Sequence, residues 1–267
     1  MCSMILKSDD ADLFYEVRGE GPDVVMVHPF PSDHDYWLPL TRHLESRFRL
    51  VMPDLRGLGR SGVGTGASTM PRLAADLLRL CDELKIGRAA FVGCSVGGYT
   101  LFEFWRRSRE RVKTLVLMDT KPGADTDEGR VARLKNADEV LQKGPEWAIE
   151  QLLPKLLGPV TMSSRLDVVE QAKATMRQAS AAGISALQRG MAERIDSTAT
   201  LAEIDVPTLV LGGEDDVLTP VSELDRMAKG IRGAELKIVG RAGHFASFEQ
   251  PDEVGPMVRE FLERNGR

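Results

Sequence analysis

Two kinds of hydrophobic pattern alternate along the chain. Short, nearly continuous apolar runs appear at VVMVH (24–28), LVMPD (50–54), AAFVG (89–93), TLVLMD (114–119), TLVLGG (208–213) and LKIVG (236–240). A strand covered on both faces reads this way, whereas a half-exposed strand alternates, so the runs predict a parallel sheet buried between layers. Between them, apolar positions recur every three or four residues. In PRLAADLLRLCDELK (71–85) the stripe is Leu73, Leu77, Leu80 and Leu84, which leaves Arg72, Asp76, Arg79 and Glu83 for water. Strand, helix and strand in repetition predict an α/β fold: a mostly parallel sheet of about eight strands with helices on both faces. At the first run, LFYEVRGEGPDVVMVH holds two strand-like pieces around Gly19, Glu20, Gly21 and Pro22. That arrangement predicts a hairpin at an antiparallel edge.

The rhythm breaks once. From Lys121 to about Ala202 there is no strand pattern, only helical pieces such as EWAIEQLLPKLL (146–157) and LQRGMAERI (187–195). A structureless loop of that length does not fit a compact domain, so residues 121–202 are expected to form a helical insertion. The core is then expected to comprise residues 1–120 and 203–267.

Composition narrows the function classes. The 267 residues carry a net charge of -5, and basic residues come only in short groups such as Arg106 and Arg107. A nucleic-acid groove and a polybasic membrane patch are therefore not expected. The apolar run in MCSMILKSDD is too short for a signal peptide or a spanning helix, which points to the cytoplasm. Cys2, Cys81 and Cys94 lack metal spacing and are odd in number, so reduced thiols are expected rather than disulfides or zinc. Asp33, His34 and Asp35 are read as a solvated loop and not a metal site, because three consecutive residues of a helix or strand do not point at one ion. The glycines of GLGRSG (57–62) have dinucleotide-binding spacing, but no phosphate-binding helix follows at once, so no cofactor is expected. The oligomeric state stays open, a homodimer included.

One stretch carries chemistry. Gly93-Cys94-Ser95-Val96-Gly97 ends a predicted strand and opens the helical pattern YTLFEFWRRS. A serine on such a turn has strained dihedrals, and small neighbours let strand and helix pass closely. The strain lifts the hydroxyl to the positive end of the following helix, where N–H groups can meet an oxyanion. A hydroxyl also needs a base. His28, His34 and His43 cluster early in the sequence, and a solvated or capping role is expected for the last two. His244, in GRAGHFASFEQP after the last predicted strand, lies at the same sheet edge as Ser95 and is the expected base. An acid must orient the imidazole. Asp216, Asp215 and Asp119 all lie at that edge, and chain order alone does not choose among them.

With those residues in view, the chain resembles the α/β-hydrolase family, in its broad group of lid-bearing serine esterases, enol-lactonases and carbon–carbon bond hydrolases. VHPFPSDHDYW, MPDLRGLGRS, GCSVGGY, VPTLVLGGEDDVLTP and AGHFASFEQP each resemble a family signature. The resemblance implies Ser95 as nucleophile, His244 as base and Asp216 as the acid, set three residues after Gly213 and four before Pro220. It also implies that 121–202 is a lid. Where the family usually has His-Gly, this chain has His28-Pro29-Phe30-Pro31. Proline has no N–H, so Phe30 is the one donor of the Pro-Phe-Pro triple, and Phe30 and Val96 are the expected oxyanion donors. The activity implied is cofactor-independent cleavage of a small ester or lactone through an acyl-enzyme. A carbon–carbon bond hydrolase and a ligand-sensing receptor are the alternatives. Dehalogenases and epoxide hydrolases resemble the chain but carry a carboxylate in the place of Ser95.

Overall fold

A computed structural model describes residues 2–7 and 10–265. The strands are β1 (Cys2–Leu6), β2 (Leu13–Arg18), β3 (Asp23–Val27), β4 (Arg49–Pro53), β5 (Ala89–Cys94), β6 (Val112–Met118), β7 (Thr208–Gly213) and β8 (Glu235–Val239). They form one sheet in the order β1-β2-β4-β3-β5-β6-β7-β8, parallel from β4 to β8 and antiparallel at the β1–β2–β4 edge. The helices α1 (Leu38–Leu44), α2 (Met70–Glu83), α3 (Val96–Ser108), α9 (Val221–Gly230), α10 (Ala246–Glu249) and α11 (Pro251–Asn265) belong to the same layers. Five more lie between β6 and β7: α4 (Asp127–Lys143), α5 (Pro145–Leu156), α6 (Pro159–Ser164), α7 (Leu166–Met176) and α8 (Ala181–Ala192). Among the described residues no helix is long and apolar enough to cross a membrane.

Alternate residues of each central strand feed opposite cores, as the two-residue strand period requires. Val25, Val27 and Phe91 pack with Leu73 and Leu77 of α2 and Phe102 of α3. Val24, Met26 and Val92 pack on the other face with Leu40 of α1 and Val258 and Phe261 of α11. Both faces are therefore dry, which is why these runs lack polar residues. The helices between β6 and β7 join both cores, Ile184 and Leu187 entering one and Leu153 and Leu156 the other.

Several expectations fail for identifiable reasons. The hairpin does not form, because β4 lies between β2 and β3, and β2 pairs instead with β1 and β4. Gly19 and Gly21, both at positive φ, let the turn lie on the backbone of the α1–β4 connection. A Cβ on Gly19 would sit 2.2 Å from the Glu45 carbonyl oxygen. Asp76 is buried rather than solvated, since it holds the Arg56 guanidinium at 2.6 and 2.7 Å. Asp33 and His34 are not a solvated loop either: both are 1 % exposed. A 3-10 turn over His34–Trp37, capped by the Asp33 carboxylate, brings ligand atoms of Asp33, His34 and Asp35 within 4.8 Å of one another. Consecutive residues converge there because Asp33 is extended and the chain turns at once into the tight 3-10 turn, folding the Asp33 carboxylate back over Asp35. His34 is engaged within the protein, its Nδ1 and its backbone N–H each 2.7 Å from Asp54 Oδ1. His43 is half-buried on α1, beside Asp252.

Burial, reinforced by the negative charges of Asp54 and Asp35, raises the Asp33 carboxyl to about 7 from 3.8. Between those values the folded chain keeps a proton that the unfolded chain has lost. Its contribution is therefore favourable in acid and is lost as pH rises through 7. Asp33→Asn keeps the acceptor for the Asp35 N–H, 3.0 Å away, and removes the charge. It is expected to stabilise the protein by about 2–4 kcal/mol at pH 8, shrinking toward zero near pH 4. Urea midpoints of the two proteins across that range measure it, and a difference independent of pH would refute the charge as its origin.

Candidate active site

Ser95 stands alone between β5 and α3 with φ 52° and ψ -114°, a left-handed conformation that costs an L-residue energy. Close packing imposes it. A Cβ on Gly97 would lie 2.2 Å from the Val27 carbonyl oxygen, and one on Gly93 would lie 2.8 Å from the Gly97 carbonyl carbon. Only glycine fits on either side of the corner. The serine backbone is tied down twice: its N–H donates to the Met118 carbonyl at 3.0 Å, and Thr120 Oγ1 donates to its carbonyl at 2.8 Å.

The histidine reaches the corner from the loop after β8. His244 Nε2 is 2.8 Å from Ser95 Oγ, and Nδ1 is 2.7 Å from Asp216 Oδ2. With the hydroxyl donating to Nε2, Nδ1 carries the proton and donates to the carboxylate. Asp216 is held in turn by the N–H groups of Leu218 and Thr219, at 2.8 and 3.0 Å on Oδ1. All three side chains are buried, with Ser95 9 % exposed. Of the rivals, Asp119 is buried nearby but accepts the Gly213 N–H at 2.8 Å, tying the ends of β6 and β7. Burial and the adjacent Asp216 charge push its carboxyl well up, toward the neutral acid. Asp215 is half-buried and its N–H turns to the Ala242 carbonyl. Burial likewise pushes up the Cys94 thiol, next to the serine, and this keeps it a thiol.

Of the two expected oxyanion donors, Val96 follows Ser95 in the chain and Phe30 lines the same cavity as Ser95. Val96 is the first residue of α3, so its N–H has no intrahelical acceptor. Among the described residues the Phe30 N–H also has no backbone acceptor, and the Phe30–Pro31 bond is cis. Ser95, His244 and Phe30 open into one cavity of about 130 Å³, whose far wall comes from the helices between β6 and β7. Arg133, Leu152, Gln188 and Met191 form that wall, with Lys121 and Leu218 at its margin. None of these six residues was singled out by its place in a motif. Apart from Gln188 and Met191 on α8 they are far apart in sequence.

With this geometry described, comparison with known proteins fixes the family. Residues 22–251 match the model of the alpha/beta hydrolase fold. The chain belongs to that family. A thermophilic esterase from Thermogutta terrifontis, solved with malate bound, is 34 % identical over the full length of both chains, with a TM-score of 0.96. A 3-oxoadipate enol-lactonase from Acinetobacter baylyi is 26 % identical, covering 97 % of this chain and 96 % of its own. A Rhizobium rhizogenes protein provisionally named carbamate hydrolase RutD is 30 % identical, covering 94 % of this chain and 97 % of its own. The eight-stranded sheet of this alpha/beta hydrolase is accordingly that of its family.

Glu249 is a site residue that the sequence pattern hid. Its fully buried carboxylate accepts the Gly243 N–H on Oε1 and the Gly158 N–H on Oε2, both at 2.8 Å. It thereby joins the histidine loop of this hydrolase to the segment between α5 and α6. Glu249→Gln can accept only one of these bonds and turns an NH₂ toward the other donor. The expected loss is about 2–4 kcal/mol of stability, since hydrogen bonds to a charged group contribute roughly 1.5–3 kcal/mol each. Thermal and urea unfolding measure it; an unchanged midpoint would show that the loop does not depend on Glu249.

Proposed function

We propose that this alpha/beta hydrolase cleaves carboxylic esters or lactones through a Ser95–His244–Asp216 triad. The observation that carries the reading is the unbroken chain of short bonds from Ser95 Oγ through the imidazole to Asp216, at the floor of a cavity. Ser95 Oγ attacks the carbonyl carbon as its proton passes to His244 Nε2. The oxyanion forms toward the N–H groups of Val96 and Phe30. His244 then protonates the departing alcohol oxygen, leaving an acyl-serine, and activates a water that releases the acid and restores the hydroxyl. Asp216 stays ionised throughout, holding the tautomer and stabilising the imidazolium. In this reading residues 121–202 are a cap over the cavity, on a core of residues 1–120 and 203–267. The free thiols Cys81 and Cys94 fit a reducing compartment, which supports the cytoplasm as its location.

The names of its relatives favour one second reading, attack by the same atoms on a carbamate carbonyl. Faster turnover of methyl carbamate than of methyl acetate would select it.

A fluorophosphonate probe is expected to label Ser95 and no other residue, which peptide mapping by mass spectrometry reads directly. Ser95→Ala is expected to lower kcat by about 10⁶ if the three residues act as a unit. Asp216→Asn is expected to cost about 10⁴ through loss of the right tautomer. Asp119→Asn, compared in the same assay, is expected to cost less than tenfold. Equal losses at the two acids would overturn the assignment of Asp216.

A further inference from the structure

We infer that the cavity above Ser95 binds a carboxylate, so that the substrate is a compact anionic ester or lactone, the negative group lying at the far end from the scissile carbonyl. This rests on the serine hydrolase reading for the reaction, but not for the binding site.

The first observation is the polarity of the walls. Apart from Ser95 and His244, the polar groups lining the cavity are Lys121, Arg133, Gln188 and Tyr99, and none is a carboxylate. Lys and Arg side chains only donate. Arg133 donates to Gln188 Oε1 at 3.1 Å, which turns that oxygen toward the guanidinium and leaves the NH₂ group as a further donor. Against these stand only apolar side chains, among them Phe30, Leu156 and Leu218. A neutral ester would leave the Lys121 ammonium, whose acceptor is the Leu218 carbonyl, without an anion in a half-buried space.

The second observation is the charge balance. Asp125 pairs with both Arg133 and Arg194, at 2.5 and 2.8 Å, so one carboxylate serves two guanidinium groups and one positive charge is in surplus. Arg194 is itself buried, its guanidinium 4.4 Å from the Tyr99 ring centroid on the cavity wall. The Lys121 ammonium donates to the Leu218 carbonyl at 3.3 Å, and no carboxylate of the described residues lies within 4 Å of it. Asp216, the nearest acid on the serine side, is occupied by His244. The surplus positive charge thus lies at Lys121 and at the Arg133–Arg194 pair, while the Asp216 carboxylate faces the imidazole.

Its volume sets the third constraint. About 130 Å³ is close to that of an internal cavity able to hold a benzene molecule, so only a few carbon atoms separate the two ends. A half-ester of a short dicarboxylic acid, or a lactone bearing a carboxylate on a short arm, has the right shape and charge.

The test compares monomethyl glutarate with dimethyl glutarate in a pH-stat, and binding of glutarate to Ser95→Ala by calorimetry. Wild type is expected to favour the half-ester in kcat/KM by at least tenfold. Lys121→Met is expected to cut that preference ratio about tenfold or more, through KM, while Lys121→Arg keeps it within about threefold. Glutarate is expected to bind Ser95→Ala, more weakly at higher salt and at least tenfold more weakly when Lys121→Met is added. Preference of wild type for dimethyl glutarate, or no glutarate binding to Ser95→Ala, overturns the carboxylate site. In the first case hydrolysis that depends on Ser95 leaves the triad standing. Glutarate binding that depends on Lys121, in a protein that hydrolyses neither ester, supports the carboxylate site and overturns the hydrolase reading instead.

Discussion

The backbone of α3 meets the end of β3 at a separation that no side chain permits. Gly97 faces the Val27 carbonyl, Gly98 faces Thr120, and Gly93 faces Gly97 across the turn. This contact is what drives the chain to reverse direction within one residue, and that residue takes positive φ because nothing longer fits. The strain at Ser95 is therefore a consequence of helix–strand packing over the central strands β3 and β5. It is opposed by a large buried core on both faces of the sheet, so a local cost of the order of 1–3 kcal/mol is sustained. The hydroxyl is presented at the carboxyl edge for the same reason that the glycines are small.

An imidazole 149 positions along the chain can serve that hydroxyl only if its loop is held as firmly. Asp216 fixes the ring, and the turn N–H groups of Leu218 and Thr219 fix Asp216. Glu249 fixes the loop backbone. The site thus assembles three buried acids, each answering a different need. Asp216 is paired with the ring, Asp119 is driven toward its neutral form, and Glu249 is satisfied by backbone donors. Two adjacent carboxyls sharing a dry site cannot both ionise cheaply, which explains why one of the pair faces an imidazole and the other only an amide.

How much of this was legible in the sequence depended on whether the cause was local. The runs that became β3 to β7 were readable within two residues at either end, because burial on both faces removes polar residues whatever the partner strand. The pairing was not readable: β4 inserts beside β3 on account of a turn against Glu45 and Arg47, and hydrophobic pattern carries no information about strand order. β1 escaped notice because at an edge its Met4 and Ile5 are partly exposed and follow no burial rule. Ser95 and His244 were visible through the strand ends that position them. Asp33, His34, Asp76 and Glu249 were not, since a charged residue reads as solvated until its distant partner is known. Lys121, Arg133 and Gln188 share a wall only after the insertion folds.

That wall is not loosely attached. Gly183 lies against the Gly57 carbonyl, Gly190 against the Ser68 carbonyl and Gly158 against Gly243, each so closely that a Cβ would fall within 3 Å of backbone. The Ser68 N–H also donates to the Ala186 carbonyl at 2.9 Å. Three such backbone contacts hold the helices between β6 and β7 in place. Side-chain contacts yield by changing rotamer, but backbone contacts of this kind move only if whole segments move. The cavity between insertion and core is therefore largely formed before any ligand arrives, and its charge is fixed in position with it. A preformed donor-rich space discriminates more sharply than an adaptable one, because a ligand lacking the complementary acceptors cannot induce the donors to turn away. In the proposed reaction the sheet supplies the reacting atoms, and the glycine contacts place a separate set of helices over them.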